Sequence, residues 1–300
     1  MFSQNLRGIA AMLVAVAAFA GMDALLKLLA ASYPPMQVGT LRGAASLPFL
    51  LVGVALLGRW RELRPVRIGL HLLRGVLGLV MVTGFIYAVK VLSLADAYSI
   101  FFVAPLMVTA FAVPLLGERV DWRRWLAIFA GLAGVLTMLK PSGHAMGALG
   151  MAGALLSAVA YALSAISVRV LTRTDTTVSM VFWFLVLLTL FSGLIAWRDW
   201  VPVRSEDWGW ILGLGLLGII GQHFVTEAFR HAPASVIAPF EYTALLWGVG
   251  IDWAVWSVLP GLRALAGGGL VVTAGLYLIW REHRLHRELA ASIESPASMH

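Results

Sequence analysis

Long apolar runs separated by short polar interruptions set the pattern of this chain. A helix needs about 20 apolar residues to cross the hydrocarbon core. Ten runs near that length follow one another: near Gly8 to Ala31, Met36 to Leu57, Ile68 to Val91, Ala95 to Leu116, Trp122 to Leu139, Met146 to Leu171, Val178 to Trp197, Trp208 to Arg230, Ala234 to Ser257 and Gly261 to Trp280. They predict an all-α membrane protein with ten transmembrane helices. Within them, Phe85 to Glu118 holds the end of one apolar helix, a tight reversal and a second helix interrupted by Pro105 and Pro114. A variant of this stretch returns about 140 residues later, from Val225 to Val258.

The repeat extends beyond that stretch. Phe19 to Lys27 aligns with Tyr161 to Arg169, Lys90 with Arg230, and Gly134-Val135 with Gly275-Leu276, at offsets of 140 to 142. Each half therefore holds five predicted helices: residues 1–140 and 146–282, followed by a polar tail over 283–300. Five is odd, so the halves enter the membrane with opposite polarity. Inverted repeats of this kind build secondary transporters, with a central cavity near the midplane.

Composition agrees with the runs. With 60% hydrophobic and 12% charged residues, the apolar surface exceeds what a soluble core can hide. A formal charge of +7 would suggest nucleic acid in a soluble protein, but here topology accounts for it. With the N-terminus placed in the cytoplasm, 14 Lys and Arg fall on the inner side and 6 on the outer, which predicts cytoplasmic termini. The first run continues past the signal-like Ala18-Phe19-Ala20 and is read as a membrane helix, not a cleaved leader. The chain has no cysteine, which excludes disulfides and thiolate metal sites.

The stretch LRGVLGLVMVTGFIYAVKVLSLADAYSIFFVAPLMVTAFAVPLLGERVDWRRWLAIFAGLAGVLTMLKP resembles the drug/metabolite transporter superfamily in its EamA-type, ten-helix branch. GQHFVTEAFRHAPASVIAPFEYTALLWGVGIDWAVW, with the closing GLYLIWRE, resembles the second copy of the same repeat. The resemblance implies two inverted five-helix repeats around a cavity and transport of a small metabolite across the bacterial inner membrane, often outward. Exporters of aromatic amino acids are among the kinds it suggests. One departure stands out: Gly117-Glu118 closes the fourth helix, whereas the second copy has Ser257-Val258.

Ionisable residues inside a span need a partner, a wet cavity or a function. Asp23 and Lys27 share a face at i, i+4, with Arg42 at similar depth. They read either as a structural ion pair or as a coupling carboxylate. Arg74 and the stripe Thr83, Tyr87, Lys90 mark the third helix, and Tyr98 with Asp96 opens the fourth. Asp96 is expected to pair with Lys90. On the sixth, Tyr161 lies between Ser157 and Ser164. The densest cluster comes last: Gln222, His223, Thr226, Glu227 and Arg230, then Pro239, Glu241 and Tyr242 beyond a turn. His223 is expected to reach Glu241 and Glu227 to pair with Arg230. The alternative is a site for a substrate ammonium or a proton.

Substrate contact or coupling is thus expected at Asp23, Arg74, Tyr87, Tyr98, Tyr161, His223, Glu227, Glu241 and Tyr242. The cavity is expected between the first, third, fourth, sixth, eighth and ninth helices. No metal or cofactor is expected, and no phosphate-binding Gly-Lys-Ser/Thr loop occurs that would point to ATP. The expected partners are a small-molecule substrate, such as an amino acid or, alternatively, a nucleoside-like or flavin-like cofactor, the lipid bilayer, and a proton as candidate coupling ion. Nucleic acid is not expected; a monomer and a homodimer both remain open. No nucleophile–base constellation suggests an enzyme.

Overall fold

The computed structural model describes residues 2–101, 103–118 and 145–257, with one or two helical positions at a time between 122 and 133 and between 266 and 280. Every regular element among the described residues is helical: α1 (Phe2–Ala30), α2 (Pro35–Leu56), α3 (Ile68–Val91), α4 (Leu94–Phe101), α5 (Val103–Leu116), α6 (Ala145–Leu171), α7 (Thr177–Ala196), α8 (Trp208–His231), α9 (Ala234–Ile237) and α10 (Ala244–Trp256), with short 3₁₀ turns between some of them. Six of these, α1, α2, α3, α6, α7 and α8, are long and apolar enough to cross a membrane. Their most apolar windows are only 44 to 61% buried inside the protein, so the remaining apolar surface faces outward, as an integral membrane protein requires. Most of the fifth and tenth predicted runs, and the tail, lie outside the described residues.

Local chemistry sets the boundaries. Pro35 occupies the first turn of α2, where its missing N–H leaves no bond unmade. Thr176 caps α7, its side chain accepting the Ser179 amide at 3.1 Å. Ala232 is extended ahead of Pro233, as a residue before proline prefers, which turns the chain between α8 and α9.

The ninth predicted run is not one continuous helix. Between α9 and α10 the segment Ala238–Thr243 tightens into a 3₁₀ helix containing Pro239, which has no amide to donate to the preceding turn. Glu241 and Tyr242 sit on this segment.

Helix boundaries recur at a fixed spacing. Both α3 and α8 have 24 residues and start 140 apart. The beginnings of α4 and α9 and the ends of α5 and α10 are separated by the same interval. The residues that close the latter two, Gly117 and Ser257, are both left-handed, with φ 69° and 55°. Glycine adopts that conformation without strain, whereas serine does so at a cost of about 1 kcal/mol.

Packing pairs helices across the two halves. α1 lies along α8 and α3 along α6; α2 packs on α7, α4 on α10. Small residues allow these approaches, since lipid supplies no hydrophobic drive between helices. Gly84 and Gly153 meet backbone to backbone, and a Cβ on either would fall within 2.8 Å of the other's carbonyl oxygen. A Cβ on Gly75 would come to 2.7 Å from the Leu187 Cβ, and one on Gly215 to 2.8 Å from the Ala45 Cβ.

Replacing Ser257 with Gly should raise stability by about 1 kcal/mol, and Gly117→Ser should lower it by a similar amount, because each exchange only adds or removes the left-handed strain. Thermal denaturation of the detergent-solubilised variants measures both.

Candidate functional site

A central cavity of about 120 Å³ opens where α1, α3, α6 and α8 converge, closed from the side by α4 and the 3₁₀ segment. A water needs ~10–15 Å³ on this measure, so the space holds several waters or a small polar head group. Four charged side chains line it: Asp23, Arg42, Arg74 and Glu241. Tyr98, Tyr161, Ser157, Ser164 and Gln222 add hydroxyls and an amide, and Phe19, Phe85, Phe101 and Phe184 supply apolar faces.

The two carboxylates stand at opposite ends of one aromatic wall. Tyr98 donates its hydroxyl to Asp23 Oδ2 at 2.9 Å, and Tyr161 donates to Glu241 Oε1 at 3.0 Å. Between the tyrosines, Phe85 stacks on Tyr98 with centroids 5.7 Å apart, and Phe101 meets Phe85 edge-on at 5.7 Å and Tyr161 at 5.4 Å. Arg74 is tied to the scaffold: its Nη1 donates to the Met180 carbonyl at 2.7 Å and its guanidinium lies 4.9 Å from the Phe184 ring centroid. Such a cavity can hold a molecule with charges of both signs and a flat apolar body.

The family model described as "EamA-like transporter family" matches residues 6–140 and again residues 148–281. The chain belongs to the EamA-like transporter family. The pseudopaline exporter of Pseudomonas aeruginosa is 31% identical over 263 residues, covering 87% of this chain and 91% of that protein. The riboflavin transporter of Vibrio cholerae is 26% identical over 94% of this chain and 96% of its own length. The S-adenosylmethionine uptake transporter of Rickettsia prowazekii is 24% identical, with 93% and 94% covered. A crystal structure that is 19% identical superimposes with a TM-score of 0.75 over 95% of this chain and 99% of its own, a likeness of fold. This EamA-like protein is therefore a membrane transporter and no enzyme.

Of the residues expected from sequence, the transporter brings Asp23, Arg74, Tyr98, Tyr161 and Glu241 to the cavity wall. Tyr87, His223, Glu227 and Tyr242 do not line it. Tyr87 is 40% exposed on the outer surface of α3. Tyr242 is buried among Phe85, Tyr98 and Leu245, behind the wall. His223 packs edge-on against Phe224 instead of meeting Glu241. The 3₁₀ segment explains the difference: at three residues per turn it faces Glu241 toward Tyr161 of α6. Asp23 does not close on Lys27, whose Nζ instead reaches Asp252 at 3.5 Å and the Trp256 ring at 4.4 Å. Asp252 was not singled out from sequence, although it is the acid in the otherwise apolar α10. Arg42 and Phe184 add the second and seventh helices to the expected lining. The side chain of Asp96 lies outside the described residues.

Polar ties close the protein at both ends. At one, the Tyr33 hydroxyl donates to Asp207 at 2.5 Å and the Gln37 amide to the Val201 carbonyl at 2.6 Å. At the other, Glu227 accepts from Thr177 and lies 3.8 Å from Arg230, as expected, and 3.0 Å from His231. Arg230 also donates to Thr177 Oγ1 at 2.8 Å and to the Asp175 carbonyl at 2.7 Å. Asp175 is the hub of this end, hydrogen-bonded by His71 Nε2 at 3.0 Å, the Val66 amide at 2.8 Å and Thr174 at 2.7 Å. Burial pushes its carboxyl up, but the hydrogen bonds from His71, Val66 and Thr174 outweigh burial and hold it below the usual aspartate range.

A carboxyl depressed in the folded state stabilises it above the ordinary value of 3.8, and that contribution is lost as pH falls through the folded value. Asp175→Asn should lower stability by about 1–3 kcal/mol at neutral pH and flatten its acid dependence in that window. Thermal unfolding across an acid pH series, wild type beside variant, reads both effects.

Proposed function

We propose that this EamA-like protein is a secondary transporter that carries a small amino-acid-type metabolite, aromatic ones included, outward across the bacterial inner membrane. The observation that carries the reading is the cavity itself, where carboxylates and guanidinium groups border a wall of aromatic rings. A zwitterion with an apolar side chain matches that combination, because each of its charges meets an opposite charge and its body meets a ring face. The similarity to the pseudopaline exporter supports the outward direction.

We further read the chain as ten spans in two inverted five-helix repeats with cytoplasmic termini. Exchange of the halves would turn the α1–α8 pair into α6–α3, which also pack together, and would bring Gly75 onto Gly215, each buried against the opposite half. The charge bias between loops supports the orientation. Asp23, Tyr98, Tyr161 and Glu241 serve as substrate-binding or coupling groups in this reading, with a proton the candidate coupling ion. Arg74, held by the Met180 carbonyl, places positive charge beside them. A second reading, uptake of a flavin-like or nucleoside-like cofactor, is favoured by the riboflavin and S-adenosylmethionine transporters among the relatives.

Proteoliposomes carrying the purified protein should show flux of labelled aromatic amino acids that accelerates under an imposed pH gradient. Glu241→Gln, which keeps an acceptor for Tyr161 but abolishes the carboxyl's charge and titration, and Tyr161→Phe, which removes the donor of a buried hydrogen bond, should each slow that flux roughly tenfold. Flux of riboflavin with no amino acid transported would establish the second reading. Flux of neither would sink both.

A further inference from the structure

Arg42 is the cavity side chain that the scaffold holds by no hydrogen bond among the described residues. It is 94% buried, being 6% exposed, yet lines the central cavity. Among the described residues no hydrogen bond or ion pair within 4 Å engages its guanidinium; Asp23 acts on it as an opposite charge through space, and the Phe19 ring centroid lies 5.8 Å away. The other three ionisable side chains each hold at least one hydrogen bond: Arg74 to the Met180 carbonyl through Nη1, its Nε being left without a partner, Asp23 with Tyr98 and Glu241 with Tyr161. A buried guanidinium presents five donors and cannot shed its proton, so leaving it unpaired is costly.

The second half of the chain offers an internal control. At the offset of 142 that aligns Phe19 with Tyr161, the position of Arg42 is taken by Phe184, a buried phenyl ring. Phe184 packs on Gly78 and against the Arg74 guanidinium, so the repeat by itself does not demand a cation at this position. Its side chain borders the cavity, where Asp23 is the opposite charge that acts on it and is itself hydrogen-bonded by Tyr98.

We propose that Arg42 is the carboxylate-binding group of the transporter, holding the anionic head of a substrate in the fork of its guanidinium while Asp23 faces the substrate's ammonium. The planar fork matches a carboxylate in two parallel hydrogen bonds, a geometry lysine does not reproduce. This deepens the reading of the cavity as the substrate site and rests on it. It excludes, as well-bound cargo, molecules whose acid group is capped.

The test compares acids with their own amides on the full-length protein in nanodiscs. L-Phenylalanine, L-histidine and L-methionine are each titrated against the corresponding α-carboxamide, with thermal stabilisation as the readout. The wild type should respond to at least one acid at a concentration roughly tenfold or more below that of its amide. Arg42→Gln should bring the ratio near one, and Arg42→Lys should retain part of it, which also keeps the test valid if the glutamine variant does not fold. Equal responses to acid and amide in the wild type overturn the carboxylate site and leave the transporter reading standing. An undiminished preference in Arg42→Gln overturns it likewise. So does the absence of any response to the three acids, in which case riboflavin flux in proteoliposomes separates a wrong head group from a wrong transporter assignment.

Discussion

The structure depends on one requirement, that charges and backbone polar groups removed from water find partners inside the protein or face a cavity. The spans are helices because a helix satisfies its own backbone. Their apolar outer faces meet lipid, so association between them depends on close approach at small residues and on polar ties. Gly84 against Gly153, and Gly75 and Gly215 each against the opposite half, provide the first. Asp175, Glu227 and Arg230 at one end, with Tyr33, Gln37 and Asp207 at the other, provide the second. With both ends tied, the middle is free to remain open.

Charge in that open middle is tolerated because it faces a cavity. Tyr98 and Tyr161 each satisfy one carboxylate, and the phenyl rings of Phe85 and Phe101 join the two pairs into one wall. The break in the ninth run belongs to the same design. A continuous α-helix would carry Glu241 at a different angle; the 3₁₀ turn around Pro239 faces it toward α6. Secondary transporters often place substrate groups at such interrupted helices, where freed backbone groups and side chains share one wet space.

The repeat and the site pull in different directions. Helix boundaries recur at 140 residues and glycines at matching positions face opposite halves, so the scaffold tends toward symmetry. The charged groups break it: at the repeat offsets Asp23, Arg42, Arg74 and Glu241 stand opposite Ala165, Phe184, Leu214 and Phe101. A symmetric scaffold that presents an asymmetric set of charges can hold a molecule whose two ends differ. Glu118, which the second half lacks, also has a structural task, accepting the Ala234 amide at 3.1 Å and lying 3.9 Å from Arg169.

The sequence by itself determined that the chain is helical and membrane-embedded, where most spans begin and end, and which family it belongs to. Run length and capping chemistry act locally, so Pro35, Thr176 and Ala232-Pro233 could be read one after another. It also marked Asp23, Arg74, Tyr98, Tyr161 and Glu241, because a polar group in an apolar run is conspicuous. Only the tertiary structure decided which polar groups share a space. Lys27 pairs with Asp252 because α10 packs on α1, and Tyr98 reaches Asp23 because α4 packs on α10 beside them, across large separations in the chain that no i, i+4 rule anticipates. His223 and Tyr87 lie off the cavity because rotation of a helix about its axis is set by its neighbours. Arg42 stands apart for the same reason: its type and depth were legible, but that no hydrogen bond among the described residues holds it is a property of the assembled bundle.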